Sequence, residues 1–281
     1  MRLLVFRSLW TNDFDLAAAL AECQAGSFDG VEGPTPSAAA ERREFALRLA
    51  GSGAPFIAEI ATGGGYVPVE TSLERHLEDF RRQAEAAMEC SPLFFTVLGG
   101  CDAWAPGQSA EFFGQVLARA AELGVVASIE THRSRPTYSP WATRALLEQL
   151  PELRLTCDFS HWCCVCERLV LDTDPGLLAL CAARAHHVHA RVGYAQGPQV
   201  PHPAAPEYRA ALEAHERWWD AIWEAHAGRD FTTMTPEFGP DGYLHTEPFT
   251  TVPAADLDAI NHWMGSRQRT RCANQPTAGA A

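Results

Sequence analysis

Lysine is absent from this chain of 281 residues: all 22 basic side chains are arginine. Schiff-base aldolase chemistry, a lysine-anchored pyridoxal phosphate and the Walker A lysine are excluded with it, because each needs an amine that can lose its proton. Long apolar runs are missing as well. None approaches the roughly 18 residues of a membrane span, and residues 2–10 are too short for a signal-peptide core and carry no cleavage pattern. The expected location is the cytoplasm, with no membrane partner. Cations are scarce against 35 carboxylates, leaving a formal charge of −13. That balance argues against a nucleic-acid partner, since phosphate binding draws its affinity from Lys and Arg.

The nine cysteines are too few and too irregularly spaced for a disulfide framework, and the odd count leaves one over. Reduced thiols are expected. No second CxxC or CxxH pair answers Cys163, Cys164 and Cys166 at zinc-site spacing, so that cluster reads as buried structure. The turn after the first candidate strand also lacks GxGxxG, the main signature of a dinucleotide fold.

What is present is an alternation. Short apolar runs rich in β-branched or aromatic residues recur, each followed by a stretch with helical spacing, the pattern of a parallel α/β fold. Strands are expected at 3–6, 30–32, 55–60, 93–98, 125–130, 154–158, 187–191 and 233–237. Helices are expected near 13–25, 36–50, 70–88, 109–123, 140–149, 163–182, 207–226 and 254–264. Thr71, Ser109, Ser139 and Asp174 stand near helix starts, Gly26, Gly51 and Gly124 near helix ends, and Asp174-Pro175 is placed to divide the sixth helix. The sequence thus predicts an α/β chain forming a single (β/α)8 TIM barrel over residues 1–264, then a polar, aperiodic stretch at 265–281 expected to be a disordered, flexible tail.

In such a barrel the strand C-termini converge on one mouth, so polarity at strand ends is informative. Strands 5 to 8 end in Glu130, Asp158, His189 and Glu237. Three carboxylates and an imidazole brought to one point repel and resist desolvation unless a cation neutralises them. One divalent metal ion resolves this. The oxygen-rich set suits Mn²⁺ first, with Mg²⁺, Co²⁺, Zn²⁺ and Fe²⁺ as alternatives. His187 points the same way as His189, and the choice between them is open; His189 is preferred because it lies nearer the strand end. Alternation puts Arg191 on the face of His189 and His132 on the face of Glu130.

The series Glu130, Asp158 with His161 three residues on, His189 and Glu237 resembles the xylose-isomerase-like TIM-barrel superfamily. That group includes sugar-phosphate isomerases and epimerases, ketose 3-epimerases, inosose dehydratases and endonuclease IV. The resemblance implies that these four residues ligate the metal, that Glu130 and Glu237 are also the acid-base pair, and that His161 and Arg191 touch substrate. His132, Glu32, Glu59 and His202 are further candidates for substrate contact, although Glu32 and Glu59 would equally pair with arginines. Gly63, Gly64 and Gly65 offer only a weak phosphate cradle. Arg133 and Arg135 follow Glu130 in a loop where arginine would receive a carboxylate or phosphate, and 193–206 reads as a rim or lid loop.

The expected activity is metal-dependent isomerisation or epimerisation of a sugar or related polyhydroxy carbonyl compound through an enediolate. Dehydration of a keto-cyclitol is the alternative. The missing lysine shifts weight away from xylose isomerase itself, where some relatives use one on the carbonyl oxygen. An endonuclease IV-like phosphodiesterase fits less well, because strands 3 and 4 end in Glu59 and Leu98 rather than in the extra histidines of that pattern. A non-catalytic barrel is the remaining reading, and homo-oligomerisation is left open.

Overall fold

The structure, a computed structural model, describes residues 1–240 and 242–275. Eight parallel strands close into a barrel in chain order: β1 (Arg2–Ser8), β2 (Gly30–Pro34), β3 (Phe56–Ala61), β4 (Phe95–Leu98), β5 (Ala127–Glu130), β6 (Arg154–Cys157), β7 (Ala185–His189) and β8 (Phe231–Thr235), with β8 pairing back onto β1. Every expected strand is present within a few residues. The helices are α1 (Leu16–Gln24), α2 (Ala39–Ser52), α3 (Leu73–Met88), α4 (Pro106–Glu122), α5 (Pro140–Gln149), α6 (Ser160–Val165), α7 (Pro175–Arg184), α8 (Arg209–Ala225) and α9 (Leu257–Ala273).

Local chemistry explains the boundaries. Ser139 and Asp174 cap the first turns of α5 and α7 by accepting from Ala142 N and Leu177 N, and Asp174-Pro175 does divide the sixth helical stretch. Two expected signals move. Ser72 rather than Thr71 caps α3, and α4 begins earlier, at Pro106, so Ser109 lies inside its first turn. The residue that ends α2 is Gly53, with φ 69°, rather than Gly51.

The apolar core lies between the strands and the helix ring, and includes Trp162 of α6 and Trp218, Trp219 and Trp223 of α8. Inside the barrel, a floor of Leu4, Phe6, Ile57 and Phe94 closes the N-terminal end. Above it the interior turns polar. Thr156 donates to Ser128 at 2.8 Å, Thr96 to Glu32 at 2.7 Å, and His187 Nδ1 meets the Thr233 hydroxyl at 2.8 Å. A register shift between β6 and β7 at Leu155/Thr156 passes over His186, so that His187 pairs with Thr156.

The expected tail is corrected in part. Residues 265–273 continue α9, with Met264, Gly265, Gln268 and Cys272 buried. Few of those buried side chains are large and apolar, so no hydrophobic stripe marks the segment. Polar contacts hold it instead: Arg267 reaches Glu216 at 2.6 and 3.0 Å, Gln268 reaches the same carboxylate at 2.9 Å, and Arg271 meets Asp220 at 2.6 Å. The rest of the expected tail, 276–281, lies outside the described residues.

Candidate metal centre

Glu130 closes β5, Asp158 follows β6, His189 closes β7 and Glu237 follows β8, so four adjacent strands deliver one side chain each to the mouth. One ligand atom from each lies within 4.8 Å of the others, and all four residues are buried. Nδ1 of His189 stands 3.1 Å from a Glu237 oxygen and 3.6 Å from a Glu130 oxygen. Among the described residues, His189 Nδ1, Glu130 Oε2 and Glu237 Oε2 are buried without a hydrogen-bond partner. A buried polar atom left unpaired costs about 1–3 kcal/mol, and more when charged. Such atoms on three residues of one cluster, with Asp158 beside them and the Arg191 guanidinium 3.4 Å from Glu237 Oε2 as the cation at hand, fit a divalent cation in both charge and donor type.

The electrostatics match this crowding. Burial pushes the Glu130 carboxyl up to about 7, and it raises Asp158 as well, against the pull of Arg191. Glu237 is also buried, yet His189 and Arg191 hold its carboxyl below the usual range. His189 is opposed by burial, but Glu237, Glu32 and Glu130 surround it and raise it well above an ordinary histidine. Without a metal, a proton shared among these groups does part of the neutralising.

His187 has partners of its own, although its ligand atom also lies close to those of Glu32 and His189. It lies one layer lower, with Nδ1 on Thr233 and Nε2 3.1 Å from Glu32 and 3.0 Å from Thr235, so both nitrogens are occupied. Glu32, expected among the sugar contacts or paired with an arginine, has histidine and threonine partners in place of an arginine. Its carboxylate lies below the mouth, facing His187 and His189 at 3.1 Å each and the hydroxyls of Thr96 and Thr235. Strand register explains the correction: β2 carries Glu32 into the middle layer of the barrel, under His189.

Arg191 and His161 form one wall of the mouth. Arg191 donates to Asp158 at 2.5 Å, to Ser160 at 3.3 Å and to His161 Nε2 at 2.8 Å. His132 lies against His161, with ring centroids 4.0 Å apart. Burial holds both imidazoles well below their ordinary range, reinforced for His132 by Arg191 and for His161 by His132 and then Arg191. These rings are neutral donors or acceptors beside a guanidinium. That cationic neighbour disfavours a second cation among Glu130, His132 and His161, although their ligand atoms are also close.

Glu59 is buried on β3, and burial, followed by the charges of Glu237, Glu130 and Glu32, pushes its carboxyl well up. It belongs to the same charged group, and after burial its charge is the next influence pushing the Tyr66 phenol up. His202 is corrected. In the β7–α8 loop it caps Ala204 N at 3.1 Å and lies 6.3 Å from the Trp263 ring of α9, so it serves the loop rather than the cluster. That loop is a tied rim: the Gln199 side chain accepts from Gly239 N at 2.8 Å and donates to its carbonyl at 3.2 Å.

The two loop arginines separate. Arg135 is fully buried and donates to the carbonyls of Thr62, Gly65, Tyr66 and Gly100 at 2.5–2.9 Å. It therefore pins the loop after β3 and receives no anion. Gly63, Gly64 and Gly65 all have positive φ, which explains the glycine run as a turn requirement. Arg133 is exposed, with its guanidinium 5.2 Å from the Tyr243 ring, and Arg191 approaches the same ring at 4.6 Å.

Sequence reasoning missed the aromatic lining of Trp10, Tyr66 and Tyr243, in which Trp10 lies 6.1 and 5.6 Å from the two tyrosines. No motif marks them. The one local signal is Gly239, where any Cβ would collide with the Trp10 indole.

No protein-family model matches the chain, and no curated protein matches it. Solved structures do. An L-ribulose 3-epimerase aligns over 100% of both chains at 15% identity and a TM-score of 0.62. The IolI protein with a bound zinc atom covers 97% of this chain and 98% of its own, at 12% identity and 0.64. Endonuclease IV from Thermus thermophilus covers 98% and 100%, at 16% identity and 0.60. Likeness at this level is one of fold, and the fold is that of the xylose-isomerase-like TIM barrels.

Proposed function

We propose, for a chain with the xylose-isomerase-like barrel fold, a divalent-metal-dependent isomerase or epimerase acting on a sugar or related polyhydroxy carbonyl compound. One observation carries the reading: the convergence of Glu130, Asp158, His189 and Glu237, all buried, with one ligand atom of each within 4.8 Å of the others and buried atoms without a hydrogen-bond partner on three of them. Glu130, Asp158, His189 and Glu237 would hold the ion, with Mn²⁺ the first choice for an oxygen-rich set. A bound divalent ion supplies Lewis acidity to a carbonyl and its neighbouring hydroxyl.

The protein's own groups then handle protons. Glu237, held ionised by His189 and Arg191, is the base for the proton on the carbon next to the carbonyl. Glu130, the other member of the acid-base pair, returns one. Delivery to the opposite face of the same carbon gives an epimer, and delivery to the adjacent carbon gives an isomer. Arg191, His161 and His132 orient hydroxyl or carbonyl oxygens from one wall, and Glu59 with Tyr66 binds hydroxyls from another. The partner is a small molecule, not nucleic acid. All nine cysteines are free thiols, the form kept in a reducing compartment, which supports the cytoplasm as location.

The test loads the full chain with Mn²⁺ in D₂O, incubates it with a panel of ketoses, cyclitol ketones and hydroxypyruvate, removes the ion and records NMR spectra. Deuterium at a carbon next to a carbonyl, lost in Glu237→Gln, is the expected result. Hydrolysis of a phosphodiester without any such exchange overturns the reading.

A further inference from the structure

The carboxylate of Glu32 is not used by the proposed chemistry, yet it is one of the most fully partnered groups in the barrel. Oε1 accepts from the Thr96 hydroxyl at 2.7 Å and faces His189 Nε2 at 3.1 Å. Oε2 faces His187 Nε2 at 3.1 Å and accepts from the Thr235 hydroxyl. A carboxylate has about four lone-pair positions, and here each is directed at one donor. The residue is 2% exposed, so water does not compete for them.

That count of donors assigns protons. Both imidazoles present Nε2 to an acceptor-only group, so each carries hydrogen on Nε2. His187 then receives the Thr233 hydroxyl on Nδ1, at 2.8 Å. His189 has no such partner on its other side. Its Nδ1 is left facing Glu130 and Glu237, in the cluster that also contains Asp158. His187 in turn rests on the aromatic floor, 5.4 Å from Phe94 and 6.3 Å from Phe6, which keeps it from following the ligand layer.

We propose that Glu32 is the positioning residue of the metal centre: its carboxylate, locked by His187, Thr96 and Thr235, holds His189 so that the Nδ1 lone pair is presented to the ion. This rests on the metal reading above. A glutamine at position 32 keeps the shape but brings an amide that can donate to Nε2 and turn the Nδ1–H form of His189 toward the ion. Outer-layer partners of this kind are worth about 10–100-fold in metal affinity.

The experiment measures Mn²⁺ dissociation constants by EPR titration for the wild-type chain, Glu32→Gln, Glu32→Asp, Thr235→Val and Glu237→Gln, with folding checked by circular dichroism in chelator. Zn²⁺-loaded samples give the His189 Nε2–H signal by NMR. Glu32→Gln is expected to bind Mn²⁺ about 10–100-fold more weakly and to lose or shift that signal, with partial rescue in Glu32→Asp. Thr235→Val, which leaves every charge in place, is expected to weaken binding severalfold and decides the matter should Glu32→Gln not fold. Unchanged Mn²⁺ affinity in folded Glu32→Gln, or in Thr235→Val if Glu32→Gln does not fold, overturns the proposal. If Glu237→Gln still loses the ion, the metal reading survives that failure. Wild-type protein that binds no Mn²⁺, Co²⁺ or Zn²⁺ overturns both.

Discussion

Nδ1 of His189 and Oε2 of Glu237 stand 3.1 Å apart, and neither atom has a hydrogen-bond partner among the described residues. A proton or a metal ion relieves that juxtaposition, and the two compete. His189 is raised above its ordinary 6.5, so its contribution to the stability of the metal-free fold is complete below that pH. It is lost as pH climbs through the raised value. A divalent ion must displace the proton, and its affinity therefore grows with pH. The rise in melting temperature on adding Mn²⁺ is expected to be larger at about pH 8 than at about pH 6. A pH-independent increment would mean that no proton is displaced.

Glu130 predicts a conflict between folding and function. Burial lifts its carboxyl from 4.5 to about 7, so the metal-free fold loses stability as pH rises from 4.5 through 7. Ionising it in the folded chain costs on the order of 3 kcal/mol at most. Glu130→Gln removes that cost. The variant is expected to unfold at higher urea concentration than wild type at pH 8 in chelator, while binding Mn²⁺ much more weakly. Equal urea midpoints would show that Glu130 is not strained by ionisation.

The barrel and the four ligand candidates were legible because their signals are strong. Parallel strands buried on both faces read as short apolar runs, and strand ends in this fold point at one place. Depth and pairing were not legible. Glu32 and Glu59 look equivalent as acids on consecutive strands, yet Glu32 is surrounded by two imidazoles and two hydroxyls while Glu59 faces other carboxylates. Only the register of the closed sheet separates them. Arg133 and Arg135 look equivalent in the same way, and two residues of loop put one in solvent and the other among carbonyls. The second half of the last helix, beyond residue 264, went unread for a different reason. Gly265, Gln268 and Cys272 bury without an apolar stripe, and the carboxylates that hold α9 come from α8, far away in sequence.

Arg135→Lys tests one of those illegible roles. The guanidinium serves four carbonyls from two loops, and an ammonium has three donors on a flexible stem. At least one of the four carbonyls then loses its partner, at about 1–3 kcal/mol if it is one of the buried pair, Thr62 or Gly100. A lower urea midpoint is expected, together with faster amide exchange at Val69 and Glu70, whose N–H groups bond to the Gly63 carbonyl. An arginine that merely awaited an anion would leave both measurements unchanged in the free protein.

Two histidines outside the candidate metal cluster contribute to the acid limit of the fold. His215 donates from Nδ1 to the Ala211 carbonyl at 2.9 Å and accepts Gly193 N at 3.3 Å. His226 donates from Nε2 to the Ala185 carbonyl at 2.9 Å and accepts the Thr232 hydroxyl at 2.8 Å. Each ring is neutral and fully used, and burial lowers both from 6.5 to about 4. The stability they contribute is therefore whole above 6.5 and is lost as pH falls toward 4. For the fully buried His215 the loss is on the order of 3 kcal/mol at the acid end. Glu130 pulls the other way over most of that window, because its raised carboxyl regains its proton and relieves the fold. Wild-type stability in chelator is thus expected to fall between about pH 6.5 and pH 5, but less steeply than the histidines alone would make it, because Glu130 opposes part of the loss. Glu130→Gln removes the compensation and is expected to lose stability steeply over the same range. Adding His215→Gln to it makes the loss less steep, and His226 keeps the remainder. Urea denaturation of the three proteins at several pH values measures this, and parallel curves for all three would show that neither group titrates where its burial places it.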